Sequence, residues 1–208
     1  VHADSTSFEI DGQRLHTGEL DVTVAGKHIA IQDIEELLDI TLGFKASGDA
    51  DFAITGRPDS LAMDIHYDGV IENYELNGMH GKCILKNEIL EWTEINTVVN
   101  GAEFAGVGFF DLSNNDLYFE LEGDASNINV AENIVPGVAL PESNCNGSVL
   151  IKRRNSSNET FVEAKVADGF ISVLPFETCD VNIYANSDGA DIRGLDIQYN
   201  DLSLTLSG

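Results

Sequence analysis

Residues 20–31 read Leu-Asp-Val-Thr-Val-Ala-Gly-Lys-His-Ile-Ala-Ile, and residues 117–130 read Leu-Tyr-Phe-Glu-Leu-Glu-Gly-Asp-Ala-Ser-Asn-Ile-Asn-Val. Each stretch alternates apolar with polar residues and leads, through a short segment with helical character, to an expected hairpin at Gly48 or Gly147. The match continues at Asp68-Gly69 and Asp168-Gly169. Repetition with a period of about 100 residues predicts two tandem multi-strand units, residues 8–107 and 108–208.

Alternation with a period of two dominates the chain and predicts strands that have one apolar and one polar face. Short clusters of Asn, Asp, Gly and Pro separate these strands and predict turns between antiparallel neighbours. The predicted turns are Asp11-Gly12, residues 56–59, Asp68-Gly69, residues 113–116, Asp168-Gly169 and Asp188-Gly189. We therefore expect a mainly β chain, arranged as an antiparallel meander.

Helical patterns occur at only two places. Asp33 can cap a helix with Ile34, Leu37 and Leu38 on one face, and residues 129–135 form a shorter equivalent. Such short helices cannot cover the apolar face of a long sheet, so a second sheet, curling or a ligand must bury it. We expect one elongated β-domain over residues 1–208, curled into a half-open, β-taco-like trough.

The charge is strongly negative, with 36 acidic and 11 basic residues and a formal net charge of −25. This composition argues against binding to a nucleic-acid backbone and against electrostatic docking on anionic lipid headgroups. The basic residues 152–154 adjoin an Asn-Ser-rich turn and are interpreted as a solvated hairpin end. No apolar run is long enough for a spanning helix, and no signal segment opens the chain. Because the chain begins mid-pattern at Val1 and stops at a repeat boundary at Gly208, we expect a segment of a longer protein.

Motifs for enzymatic chemistry are missing from the sequence, which has no Gly-x-Ser-x-Gly elbow, no dinucleotide loop and no phosphate cradle. We therefore expect no enzymatic activity and no cofactor. Acidic pairs are interpreted as residues on the solvent-exposed face of strands. For three aspartates, weak calcium binding is kept as an alternative. The pairs are Asp49/Asp51, Glu91/Glu94 and Glu120/Glu122, and the three aspartates are Asp188, Asp191 and Asp196.

The five histidines are dispersed and predicted to be surface residues, with no metal site. Cys83, Cys145 and Cys179 occur singly, which favours free thiols over one disulfide or a metal role. An aromatic group is interpreted as core packing of a curled sheet, with groove lining as the alternative. This group comprises Trp92, Phe104, Phe109 and Phe110.

The order of these segments resembles the repeating unit of the AsmA-like superfamily, which includes TamB-like proteins. The resemblance is carried by Ile34-Glu-Glu-Leu-Leu38, the Gly48 loop, the strand 51–56 with its return 61–65, and the Gly-rich segments 100–106 and 108–112. It covers residues 8–208, with the second unit repeating the pattern from Asn129.

This resemblance implies a periplasmic segment of a larger protein anchored in the inner membrane, without catalytic residues. It further implies a groove that carries phospholipid acyl chains between the inner and outer membranes, with envelope proteins as further partners. The strong acidity and the three cysteines depart from the usual pattern of the family.

Two functions follow from these patterns. The first is a lipid conduit, lined by apolar-face residues: Val22, Val24, Phe52, Ile54, Met63, Ile65, Phe119, Leu121, Leu204 and Leu206. The second is a structural or adhesive β-module, with a sealed core and an acidic surface that binds a partner or calcium. A conduit requires an apolar stripe that is continuous along the sheet and open at its end.

Overall fold

The protein is described from a computed structural model, which covers residues 7–30, 32, 45–71, 74–113, 118–129, 143–154, 157, 159–171, 173–186 and 189–207. These residues form 13 strands in one sheet and almost no helix. The chain is therefore mainly β, as the alternation predicts. The two predicted helices, over residues 33–38 and 129–135, lie outside the described residues apart from Asn129.

The strands follow one another along the chain with short connections at most junctions. They are β1 (Ser7–Arg14), β2 (Leu20–Ala30), β3 (Ala46–Arg57), β4 (Ser60–Ile71), β5 (Tyr74–Lys86), β6 (Ile89–Val99), β7 (Ala102–Asp111), β8 (Tyr118–Ile128), β9 (Ser143–Arg154), β10 (Glu159–Ile171), β11 (Leu174–Asn186), β12 (Gly189–Tyr199) and β13 (Leu202–Ser207).

Every strand pairs antiparallel with its sequence neighbour, in the order β1 to β13. The meander is thus confirmed. β1 and β13 are the two edges of the sheet, and they do not pair with each other, so the sheet is open. Among the described residues, extensive contacts between strands run only between neighbours in the sheet. No described strand forms a second layer against the apolar face.

Some predicted turns are correct and others are wrong. Residues 56–59 include the turn between β3 and β4, whereas residues 114–116 and Asp188 lie outside the described residues. A further turn, Asn100-Gly101, joins β6 to β7 with positive φ at both residues. Five other predicted turns or hairpins lie inside strands instead: Asp11-Gly12, Gly48, Asp68-Gly69, Gly147 and Asp168-Gly169. Glycine and aspartate mark bulges in strands as well as turns between them, which explains the error.

Bulges change which residues share a face within one strand. In β2 the residues on the apolar face are Val24, Gly26 and then Ile29, because the register with β3 breaks between Gly26 and Ile29. His28, with φ of 54°, lies at this break. In β8 the register breaks between Ala125 and Ile128, where Asn127 has φ of 58°. Each bulge shifts the parity of the alternation and keeps the next apolar residue on the same face.

Nearly all glycines within strands lie on the apolar face, where they face one another or a large side chain. Gly106 is opposite Gly123, and a Cβ on Gly106 would lie 2.8 Å from Cζ of Phe104 and 2.9 Å from the Cα of Gly123. It would also meet the carbonyl oxygen of Glu122. These glycines allow neighbouring backbones and aromatic rings to approach closely on this face.

We expect Gly106→Ala to destabilise the protein by about 1–3 kcal/mol, because the added methyl group overpacks a site closed by backbone atoms. Urea unfolding followed by circular dichroism measures the change in the free energy of unfolding. Gly194→Ala is the matched control, since its Cβ would come no nearer than 3.4 Å to a side-chain nitrogen of Asn182. Equal stability of the two variants would contradict the close approach at Gly106.

Candidate functional site

The apolar face consists of rows of residues that face one another across successive strands. The row that we call the central row crosses all 13 strands of the sheet. Its members are Ile10, Val24, Phe52, Ile65, Gly81, Ile95, Gly106, Gly123, Val149, Ala164, Val181, Leu195 and Leu206. Each of these residues is apolar or glycine, so the row is unbroken from edge to edge.

A second row, the tryptophan row, runs beside the central row from β1 to β12. Its members are Gly12, Val22, Ile54, Met63, Cys83, Trp92, Gly108, Leu121, Ile151, Val162, Ile183 and Ile192. Eight of the ten predicted lining residues lie in these two rows: Val22, Val24, Phe52, Ile54, Met63, Ile65, Leu121 and Leu206.

The other two predicted lining residues belong to neighbouring rows of the same face. Phe119 faces Phe110, and Leu204 faces Ile197, which in turn faces Cys179. The register therefore brings all ten residues to one face, but it spreads them along the sheet. Phe119 is two residues from Leu121 on β8, and Leu204 is two residues from Leu206 on β13, so both adjoin the two rows on the same face.

Exposure on this face is lowest in the middle and highest at the edges. Ile65, Cys83 and Trp92 belong to one buried cluster in the middle of the face, and their exposed fractions are 8%, 2% and 5%. Ile10 at one edge is 69% exposed, and Leu206 at the other edge is 52% exposed. A second buried cluster contains Ile128, Cys145, Ala164, Val166, Phe176 and Cys179. The apolar face thus covers itself in the middle and remains open to solvent at both ends.

The aromatic group found in the sequence is divided between the two faces. Trp92 and Phe110 make an edge contact with ring centroids 6.1 Å apart, and Phe110 contacts Phe119 at 5.4 Å. Phe109 instead faces Glu91 and Glu120 and contacts Tyr118 on the polar side. The prediction of one aromatic group including Phe109 is therefore wrong, because adjacent strand residues point to opposite faces.

Two buried polar atoms lie on the apolar face without a hydrogen-bond partner among the described residues. They are Nε1 of Trp92 and Oγ1 of Thr97. Thr97 faces Phe104, and the Trp92 ring lies over Gly81, where an added Cβ would meet the ring. Most buried polar side-chain atoms in proteins have a hydrogen-bond partner, so these two atoms are exceptions on the apolar face.

All three cysteines are free and buried, which confirms the free-thiol interpretation over a disulfide. Burial raises the pKa of the Cys83 thiol to about 11, and the Asp64 carboxylate adds to this shift. Burial likewise raises the pKa of Cys145 to about 11, with Cys179 as the second cause. Thiols of this kind are structural residues of an apolar core, because the reactive species is the thiolate.

We expect the native thiols to resist labelling by a disulfide reagent at pH 8. With a pKa of about 11, only about one thiol in a thousand of Cys83 or Cys145 is ionised at that pH. Absorbance of the released thionitrobenzoate measures the labelling, and the chain unfolded in guanidinium should release three equivalents as the control. Rapid labelling of the folded chain would contradict the burial of these residues.

Three of the six paired acidic candidates on the polar face have structural partners. Asp49 Oδ1 accepts a hydrogen bond from the backbone N–H of His28 at 2.8 Å. Glu120 pairs with Lys152 at 3.0 Å, and the hydrogen bond from Lys152 lowers the pKa of Glu120. Glu94 pairs with Lys82 at 3.3 Å. Each of these three contacts links two neighbouring strands on the polar face.

The basic run at residues 152–154 lies at the end of β9, as predicted. Two of its side chains have protein partners in addition to solvent. Lys152 forms an ion pair with Glu120, and the Arg154 guanidinium lies 5.1 Å from the centroid of the Tyr118 ring. Of the three aspartates considered for calcium, Asp188 lies outside the described residues, and Asp191 and Asp196 do not join any described metal-ligating group.

The structure brings together one group that the sequence interpretation missed. Asp64, His66 and His80 have ligand atoms that all lie within 4.8 Å of one another, and this is the only such group among the described residues. The prediction that the histidines are dispersed is wrong for this pair. A simple hairpin over β4 and β5 places His66 opposite Met79, but an extra residue in β5 near Gly78 shifts the pairing to His80.

Two depressions are lined mainly by residues of the polar face, together with a few residues of the apolar face such as Val24 and Phe52. One, of about 630 Å³, is lined by residues that include Asn96, Glu103, Asp124 and Ser126. The other, of about 490 Å³, is lined by Glu9, Asp11, Asp51, Asp64 and His66, among others. The second depression thus adjoins the histidine pair.

No helix among the described residues is long and apolar enough to cross a membrane. Comparisons of the chain with protein-family models, with curated proteins and with solved structures found no match.

Proposed function

We propose that the protein is a non-enzymatic lipid-binding segment whose apolar face receives phospholipid acyl chains. The observation that carries this proposal is the unbroken central row, from Ile10 at one edge to Leu206 at the other. No described strand covers this face, and each buried acyl methylene contributes about 0.8 kcal/mol. A long apolar stripe can therefore bind an acyl chain without polar chemistry.

The close approaches at glycine support a sheet that is curled toward its apolar side. Real Cβ atoms essentially never come within 3.0 Å of a heavy atom of another residue. A Cβ on Gly48 would lie only 2.7 Å from the Cα of Gly69, and a Cβ on Gly147 only 2.6 Å from the Cα of Val166. Backbones that converge on one face bend the sheet around that face, which favours a trough with an apolar interior.

Matching features in two sets of strands support a tandem origin, with β2–β7 equivalent to β8–β13. The backbone N–H of His28 donates to Asp49 at 2.8 Å, and that of Asn127 donates to Asn146 at 2.9 Å. Asn100 and Asn200 adopt positive φ after β6 and β12. The expected boundary at residues 107 and 108 falls inside β7, so we propose units of six whole strands instead.

The cellular location of this activity is the one that the resemblance to the AsmA-like superfamily implies. In that setting the chain is a periplasmic part of a larger protein anchored in the inner membrane, and it moves phospholipid toward the outer membrane. The exposed ends of the apolar face suit such a role, because an acyl chain has to enter and leave. Envelope proteins are then the partners of the segment.

A second candidate function is a structural β-module whose apolar face is sealed by its own side chains. The low exposure of Cys83 and Trp92, 2% and 5%, favours this alternative. The two functions differ in whether lipid reaches the middle of the central and tryptophan rows, which can be measured directly.

We expect protein purified without detergent to retain phospholipid, detected by mass spectrometry of an organic extract. Ile54→Asp places a charge on the apolar face and should remove most of this lipid, because burial of an unpaired carboxylate is unfavourable. Thr55→Asp changes the adjacent, exposed residue on the opposite face and should retain lipid. Leu206→Asp, at the exposed edge, provides a variant whose folding is little affected. Unchanged lipid in both apolar-face variants, or a lipid-free wild type, would support the sealed module.

Trp92 is the only tryptophan of the chain and lies in the tryptophan row, so its fluorescence reports on the middle of the apolar face. We expect phospholipid with brominated acyl chains to quench Trp92, since bromine quenches only at short range. The same lipid without bromine is the control. Binding without quenching would place the lipid away from the middle rows.

A further inference from the structure

We propose that Asp64, His66 and His80 form a binding site for a divalent transition metal, with Zn²⁺ as the ion. This site lies on the polar face, opposite the proposed lipid-binding surface, and it does not depend on that function. Two imidazoles and one carboxylate are a common ligand set for zinc, in which the fourth position is left open.

The distances between the three side chains suit a metal ion. Nε2 of His80 lies 2.8 Å from Oδ1 of Asp64, and Nε2 of His66 lies 3.6 Å from the same oxygen. Tetrahedral zinc with bonds of about 2.0–2.1 Å holds its ligand atoms about 3.3–3.5 Å apart. The two distances to Asp64 bracket this value, and the three ligand atoms all lie within 4.8 Å of one another, so side-chain rotation is what remains for them to coordinate one ion.

The fold fixes the relative positions of the ligands. Asp64 and His66 are two residues apart on β4 and share a face, and His80 lies directly opposite His66 on β5. The imidazole rings stack with centroids 4.4 Å apart and an interplanar angle of 17°. The bulge is held by the Gly78 N–H, which donates to Asp68 Oδ1 at 2.5 Å. A regular two-strand hairpin would separate the two histidines.

The surroundings of the site favour a cation. Asp51 lies opposite His66, and Glu9 and Asp11 line the same depression of about 490 Å³. Lys82 is opposite Asp64, but its ammonium group pairs with Glu94 at 3.3 Å. The side chains of His66 and His80 are 61% and 31% exposed, so an ion can reach them from solvent. Imidazole ligands favour zinc over magnesium and calcium, which prefer oxygen.

The test is isothermal titration of chelator-treated protein with ZnCl₂, in a non-coordinating buffer with excess MgCl₂ to occupy isolated carboxylates. We expect one Zn²⁺ per chain. His66→Gln, His80→Gln and Asp64→Asn should each weaken binding at least about tenfold, because ligand-shell changes have effects of this size or larger.

His16→Gln is the matched control, since it removes another exposed histidine outside the cluster and should leave the affinity unchanged. Circular dichroism of each variant checks that the sheet is folded. The proposal is overturned if the wild type shows no zinc binding under these conditions. It is also overturned if the cluster variants bind zinc as tightly as the His16 variant does. Neither result bears on lipid binding, which is measured separately.

Discussion

Every other feature of this protein depends on the cross-strand register that keeps apolar residues on one face of the 13-stranded sheet. A slip of one residue in any strand would turn its apolar residues to the polar side. The sequence maintains the register through bulges, at which residues such as His28 and Asn127 adopt positive φ. A bulge absorbs one extra residue, and the apolar row continues on the next strand.

A single sheet with one apolar face has to bury that face without a partner layer among the described strands. Glycine makes part of this burial possible, because Gly81 leaves room for the Trp92 ring and Gly108 leaves room for the side chain of Leu121. The middle of the face is therefore covered by its own side chains, although no described strand packs over it. At the edges this coverage ends, and residues such as Ile10 and Leu202 remain exposed.

The two faces have distinct chemistry because alternation separates them residue by residue. The central row and the tryptophan row of the apolar face are continuous and contain no charged residue, which suits an acyl chain. The polar face has the ion pairs, both depressions and the histidine pair. Lipid on one side and a metal ion on the other are thus compatible within one sheet, since neither uses residues of the other.

The sequence alone determined the strands, the meander and the composition of the apolar face, because period-two alternation and short connections are local properties of the chain. All ten predicted lining residues lie on one face for this reason. The tertiary structure decided which residues meet across strands, since one bulge near Gly78 makes His80 rather than Met79 the partner of His66. It also placed Asp68-Gly69 within a strand and Phe109 apart from Phe110. Register is a non-local property: it depends on how two strands fit together, and neither strand specifies it by its own pattern.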